Sequence, residues 1–187
     1  MRRAVLILAV TLIVSCRLDY GQQQLVDELD EDVPETVLTE VRHTVVRDGS
    51  PRFRILADRA ETFTERKRQY LHEVEFSELS PDGTLVTSGT ADYAEYQMDT
   101  EDVELTGNLR FFSEEEQAWL TAEYLYWDSD SRRLTSQSSR PVTVNRTDGT
   151  RITGRGFVAE MSRSSIYFQG GVSGMIVEEN EESESSD

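Results

Sequence analysis

The chain of 187 residues carries 36 acidic side chains against 19 Lys and Arg, a formal net charge of −17. That excess excludes nucleic acid as a partner, because phosphate backbones are held by Lys and Arg that displace counterions, and it leaves no polybasic patch to hold an anionic bilayer by charge. One cysteine and two histidines exclude an internal disulfide and are too few for a Cys/His zinc site.

The N-terminus reads as an export signal over residues 1–15. Met1-Arg2-Arg3 is a charged lead, and Ala4 to Val14 is a charge-free run dominated by Leu, Ile, Val and Ala. Eleven helical residues span only ~16 Å, about half of a ~30 Å hydrocarbon core, so a lasting transmembrane helix is not expected. The run closes on Ile13-Val14-Ser15-Cys16, and Cys16 is the single cysteine of the chain. This ending resembles the bacterial lipobox, which implies that Cys16 becomes a lipidated N-terminus and anchors the protein to a membrane through several acyl chains. A plain signal peptide with a cysteine at the cleavage site is the alternative.

Residues 16–36 are polar and acidic, with Gln22-Gln23-Gln24 followed by Asp27-Glu28-Leu29-Asp30-Glu31-Asp32. They read as a tether with too few apolar side chains to pack. Residues 178–187, Glu-Glu-Asn-Glu-Glu-Ser-Glu-Ser-Ser-Asp, read as a disordered acidic tail. The domain is placed between them, over 37–177.

Within that span the pattern alternates with period two, as half-buried strands do. Leu120, Ala122, Tyr124 and Tyr126 share one predicted face; Val103, Leu105, Leu109 and Phe111 another; Ile166, Phe168, Gly170, Val172, Gly174 and Ile176 a third. Turn residues interrupt these runs at Asp82-Gly83, Asp128-Ser129-Asp130-Ser131 and Asp148-Gly149, and the connection from Asn145 to Thr150 is the clearest hairpin. Leu56 to Tyr70 has the composition of an amphipathic helix, but the repeats assign it to strands.

An aliphatic-x-small phrase recurs every thirty-odd residues, at Ile55-Leu56-Ala57, Val86-Thr87-Ser88, Leu120-Thr121-Ala122 and Ile152-Thr153-Gly154. Each is followed by aromatic or apolar residues, a polar turn and a second strand. Such a period implies stacked units of two strands, none of which buries its face alone. Two of the second strands share a phrase around glycine, Leu105-Thr106-Gly107-Asn108-Leu109 and Phe168-Gln169-Gly170-Gly171-Val172, where a bend or a close backbone approach is expected. The fold class is all-β.

These phrases, with Ala-Asp-Tyr-Ala-Glu-Tyr at 91–96 and Leu-Thr-Ala-Glu-Tyr-Leu-Tyr-Trp-Asp at 120–128, resemble the LptC/OstA-like proteins of lipopolysaccharide export over residues 37–177. The resemblance implies an open antiparallel β-jellyroll built from repeated strand pairs. It also implies a role as a membrane-tethered periplasmic bridge that carries a lipopolysaccharide-like glycolipid. LptC is usually held by one transmembrane helix, whereas this chain carries a lipobox, which leaves the choice of membrane open, the inner being preferred.

An apolar groove for acyl chains is implied, with candidate lining Tyr93, Tyr96, Leu105, Leu109, Leu120, Tyr124, Tyr126, Val158, Ile166, Phe168 and Val172. Alternating apolar residues of this kind equally describe an ordinary core. The resemblance further implies edge-to-edge strand addition. Tyr167, Gln169, Gly170, Gly171, Ser173 and Gly174 would meet a soluble periplasmic jellyroll, and about Val37 through Val46 would meet the membrane subunits of an ABC transporter.

Catalytic chemistry is not legible. His43 and His72 lie in separate segments, Gly171-Val172-Ser173-Gly174 misses the nucleophile-elbow spacing, and Asp128-x-Asp130 lacks the rest of a calcium loop. No cofactor or metal is expected, and energy for transport would come from a partner. The competing reading is a structural or adhesive surface lipoprotein that uses the same fold as a spacer.

Overall fold

The computed structural model describes residues 33–163 and 165–177. The expectations for the export signal, Cys16, most of the tether and the acidic tail lie outside the described residues. Among the described residues no helix is long and apolar enough to cross a membrane.

Six long strands come first: β1 (Thr36–Arg47), β2 (Ser50–Phe63), β3 (Arg68–Leu79), β4 (Leu85–Gln97), β5 (Val103–Ser113) and β6 (Ala118–Asp128). Each pairs antiparallel with the next. Residues 56–70 are therefore strand, turn and strand, because a hairpin partner on each side satisfies backbone groups that an isolated helix would have to satisfy alone. Six short strands follow: β7 (Arg133–Thr135), β8 (Pro141–Arg146), β9 (Arg151–Arg155), β10 (Phe157–Glu160), β11 (Ser165–Phe168) and β12 (Val172–Met175).

Beyond β6 the sheet divides. The C-terminal part of β6 pairs with β7, which continues to β10 and β11. The N-terminal part pairs with β8, which continues to β9 and β12. β7 and β8, β9 and β10, and β11 and β12 thus form successive long strands that have broken at the middle. The run expected as one strand from Ile166 to Ile176 is two, because residues 169–171 turn the chain from one half-sheet to the other.

The first six strands bend along the same line without breaking. On β2 the inward residues are Ala57 and then Ala60; on β3, Leu71 and Val74; on β4, Ala91 and Ala94; on β6, Ala122 and Leu125. Two consecutive residues face outward between each pair, so the alternation slips by one where the strands cross the line. Unpaired positions mark it on every strand, and Glu40, Glu73 and Asn108 there have φ of 54°, 50° and 47°. Gly107 has φ 79°, and a Cβ on it would lie 2.5 Å from the Asp92 carboxylate, so glycine alone fits this crossing. On the fourth unit Gly156, with φ 62°, separates inward Gly154 from inward Phe157.

Register corrects the predicted repeat. Ala57, Val74 and Ala91 are successive ladder partners, so the unit equivalent to Ile55-Leu56-Ala57 is Gly89-Thr90-Ala91 rather than Val86-Thr87-Ser88. The composition of that segment hides the unit, because Gly89 stands where the others carry an aliphatic residue. A Cβ at Gly89 would strike the Phe111 ring at 2.4 Å; that ring takes the space instead.

Candidate functional site

The inward residues of the two half-sheets form one apolar interior. Leu109, Leu125, Val142 and Phe157 are almost wholly inaccessible, and Val41, Ile55, Leu71, Val103, Leu105, Phe111, Leu120, Leu134 and Phe168 pack around the buried cluster. Small residues line the bend itself (Ala57, Ala60, Ala91, Ala94 and Ala122), which lets the backbones of the two halves approach closely. At the C-terminal end the Phe168 ring lies against Gly154, 2.5 Å from where a Cβ would be, and meets Phe157 edge-on at 5.7 Å. One side of the interior ends on the row Phe53, Glu78, Thr87, Ser113 and Ala118, and the other on Thr62, Gln69, Tyr96, Val103, Trp127 and Leu134, polar toward β2 and apolar toward β7.

Seven of the eleven expected lining residues share this inward face. Leu105, Leu109, Leu120 and Phe168 pack in or against the cluster. Tyr96 is a ladder partner of Val103 near the rim. Ile166 and Val172 occupy inward register positions on the terminal strands, yet are 60% and 56% exposed because nothing pairs beyond β11 or β12 among the described residues.

The other four are corrected. Tyr93, Thr106 and Tyr124 form one ladder row, and Glu95, Glu104 and Tyr126 the next, both on the face opposite Leu105 and Leu125. Val158 lies between inward Phe157 and Ala159 and faces away as well. All four lie past the line where alternation slips, so a period-two count carried across it assigns the wrong face. The inward residues that this count missed include Leu125, Trp127, Phe157 and Ala159. The Ala-x-x-Ala spacing at 57–60 and 91–94 is the signal that reveals the slip.

Outside this interior, Tyr93 stacks on Tyr70 at 5.9 Å and meets His72 edge-on at 5.3 Å. Burial, together with the nearby Tyr70, Glu95, Glu61 and Glu104, pushes its phenol up to about 12. Glu160, a buried carboxylate, accepts hydrogen bonds from Arg133, from Arg163 at 3.1 Å and from the Tyr167 hydroxyl at 3.3 Å. The Arg133 hydrogen bond is the main cause that holds its carboxyl below the usual range. This cluster ties β7, β10 and the 3-10 turn at Met161–Arg163 to the edge strand β11.

Among the described residues two edges are open: β1 pairs only with β2, and β11 and β12 pair only with β10 and β9. Val37, Leu38 and Val46 are exposed at one edge, and Ile166, Tyr167, Val172 and Met175 at the other. Of the expected C-terminal edge residues, Tyr167 lies in β11, and Ser173 and Gly174 lie in β12. Gln169 and Gly170 occupy the crossover, where their amides donate to Gly156 and Arg155 carbonyls, and Gly171 follows them. Among the described residues no group of three or more His, Cys, Asp or Glu could hold a metal.

The bent sheet with an interior shared by both halves is matched by a solved structure, that of LptH, the LptA-homologous periplasmic component of the lipopolysaccharide transport device of Pseudomonas aeruginosa. The match has a TM-score of 0.52 at 14% identity and covers 67% of this chain and 95% of that one. At that identity it establishes the fold alone. A model of the lipopolysaccharide-assembly, LptC-related family matches residues 4–177. The chain belongs to that family. Membership makes it a periplasmic component of lipopolysaccharide transport and not an enzyme. No curated protein sequence matched.

Proposed function

We propose that this LptC-related chain holds the acyl chains of a lipopolysaccharide-like glycolipid between its two half-sheets and passes the lipid along a line of jellyrolls. The observation that carries this reading is the apolar interior, which is shared by both halves and ends at exposed strands on either side. Burial of each acyl methylene is worth ~0.8 kcal/mol, which gives the lipid a reason to enter. In this structure the interior is filled by its own side chains, so loading requires the half-sheets to part. Alanines along the bend and the crossovers at 137–140 and 169–171 make the line between the halves the place to open.

On this reading β1 receives lipid from the ABC transporter's membrane subunits, and β11 and β12 pass it to a soluble periplasmic jellyroll by strand addition. The lipidated Cys16 and the acidic tether hold the domain to a periplasmic membrane, the inner one in preference.

The test is photo-crosslinking in living cells. A photoreactive residue at Leu105 or Tyr96 gives a glycolipid adduct, whereas one at outward Tyr124 does not. No adduct at Leu105 and Tyr96 in exported, folded protein would sink the lipid-carrying reading and favour a spacer lipoprotein.

A further inference from the structure

The outer surface of the half-sheet containing residues 74–79, 85–91, 109–113 and 118–122 carries a depression of about 300 Å³ lined by Glu75, Ser77, Ser88, Thr90, Arg110 and Trp119. That volume is at the small end of ligand sites, which run from ~300 to 1,000 Å³. The Arg110 guanidinium lies over the Trp119 ring at 5.0 Å, and Phe112 braces the same indole at 4.6 Å. Stacking holds the planar fork in place without using its N–H donors. Among the described residues none of the side chains of Glu75, Ser77, Ser88, Thr90 and Arg110 makes a hydrogen bond or ion pair. A pre-positioned cation, three hydroxyls and a carboxylate therefore line one concave patch with their bonding capacity free.

The surrounding charge sets the ligand's polarity. The ladder row through Trp119 carries Arg54 and Arg151 and no acid. Arg42 lies in the row through Arg110, and Glu75 is the acid there. On the far side, along the bend, stand the exposed acids Glu40, Asp58, Glu73, Asp92 and Glu123. Beyond the strand ends the β5–β6 turn carries the exposed Glu114, Glu115 and Glu116. The Trp119 and Arg110 rows thus form a cationic strip between two acidic borders, and an anionic group is drawn to that strip and repelled on either side of it. Trp119 is the second residue of β6, so this row lies close to the strand ends, where the interior opens.

We infer that this depression binds an anionic saccharide, its phosphate or carboxylate on Arg110 and its hydroxyls on Ser77, Ser88, Thr90 and Glu75. The inference rests on the proposed function only for the source of the sugar: the head of a glycolipid whose acyl chains lie between the half-sheets emerges near the rim and folds over it. A bilayer surface is a poorer fit, because it would bring lipid phosphates against the acidic bend and has no use for a concavity one or two sugar rings wide.

The test uses an acyl-free probe. A phosphorylated, deacylated lipopolysaccharide oligosaccharide is titrated into the purified full chain, with indole N–H signals read by NMR and affinity by calorimetry. The Trp119 signal shifts while that of inward Trp127 stays still, and phosphatase treatment of the probe weakens binding by about tenfold, one charge-assisted contact's worth. Arg110→Gln produces the same loss and abolishes the difference between the two probes. Ser88→Asp, an exposed-face change that repels the anion, lowers affinity further with an unchanged melting temperature. Equal binding by wild type and Arg110→Gln overturns the inference, as does a response to phosphatidylglycerol vesicles with none to the oligosaccharide. Neither result bears on acyl-chain crosslinks at Leu105, so the two readings fail separately.

Discussion

Asn108 Nδ2 donates a 2.7 Å hydrogen bond to Asp92 Oδ2 across β5 and β4, at the point where both strands cross the bend. The bond fixes a left-handed Asn108 beside the left-handed Gly107, whose missing side chain leaves room for the same aspartate. Gly107→Ala should therefore cost about 1–3 kcal/mol of unfolding free energy, from left-handed strain plus the clash with Asp92. Adding Asp92→Ala should return part of that loss, as read from urea midpoints in a double-mutant cycle. Strict additivity would mean that the two residues do not contact.

The slip in alternation makes neighbours unequal. Leu125 is wholly buried and Tyr124 faces outward, so Leu125→Ala should cost about 2–5 kcal/mol and Tyr124→Ala less than half as much. Denaturant unfolding of the two variants decides it, and the reverse ranking would restore an unbroken period of two along β6.

Glu160 should act as an acid-sensitive clasp on β11. Its carboxyl is held below the ordinary range by Arg133, so its contribution is present above the unfolded-state value and is lost as pH falls through the folded-state value. The protection factors of the β11 amides, with the intrinsic pH dependence of exchange divided out, should fall as the solution becomes acidic. Glu160→Gln should show low protection already at neutral pH and little further change.

Tyr93 gives the opposite sign. Its pKa is raised to about 12, so the neutral phenol is favoured in the folded state, and stability should decline as pH rises from about 10 to about 12. Ultraviolet difference titration should show one tyrosinate step lost in Tyr93→Phe, and that variant should lose less stability over the same interval.

The edges should be separable from the core. Ile166 and Met175 are 60% and 62% exposed, so Ile166→Asp with Met175→Asp should leave the melting temperature of the isolated chain within a few degrees of wild type. The same pair should prevent pull-down of a soluble jellyroll partner, because charges on an edge strand oppose strand addition.

Sequence alone determined the all-β class, the stacking of strand pairs and two of the places where the chain bends or turns. Alternation, turn residues and the two glycine phrases at 105–109 and 168–172 are local signals, and strands report them residue by residue. The family resemblance rested on the same phrases. What only tertiary structure decided was which side of each strand faces inward beyond the bend. β2, β3, β4 and β6 each cross from one half-sheet to the other with two successive outward residues, and the slip at Asp58-Arg59, Asp92-Tyr93 and Glu123-Tyr124 exists because both halves must bury apolar side chains against each other. A period counted along a single strand has no access to that constraint, so it places Tyr93, Tyr124, Tyr126 and Val158 inside and passes over Leu125 and Phe157. The depression beside Trp119 was equally invisible. It gathers residues from β3, β4, β5 and β6 that only sheet register brings together.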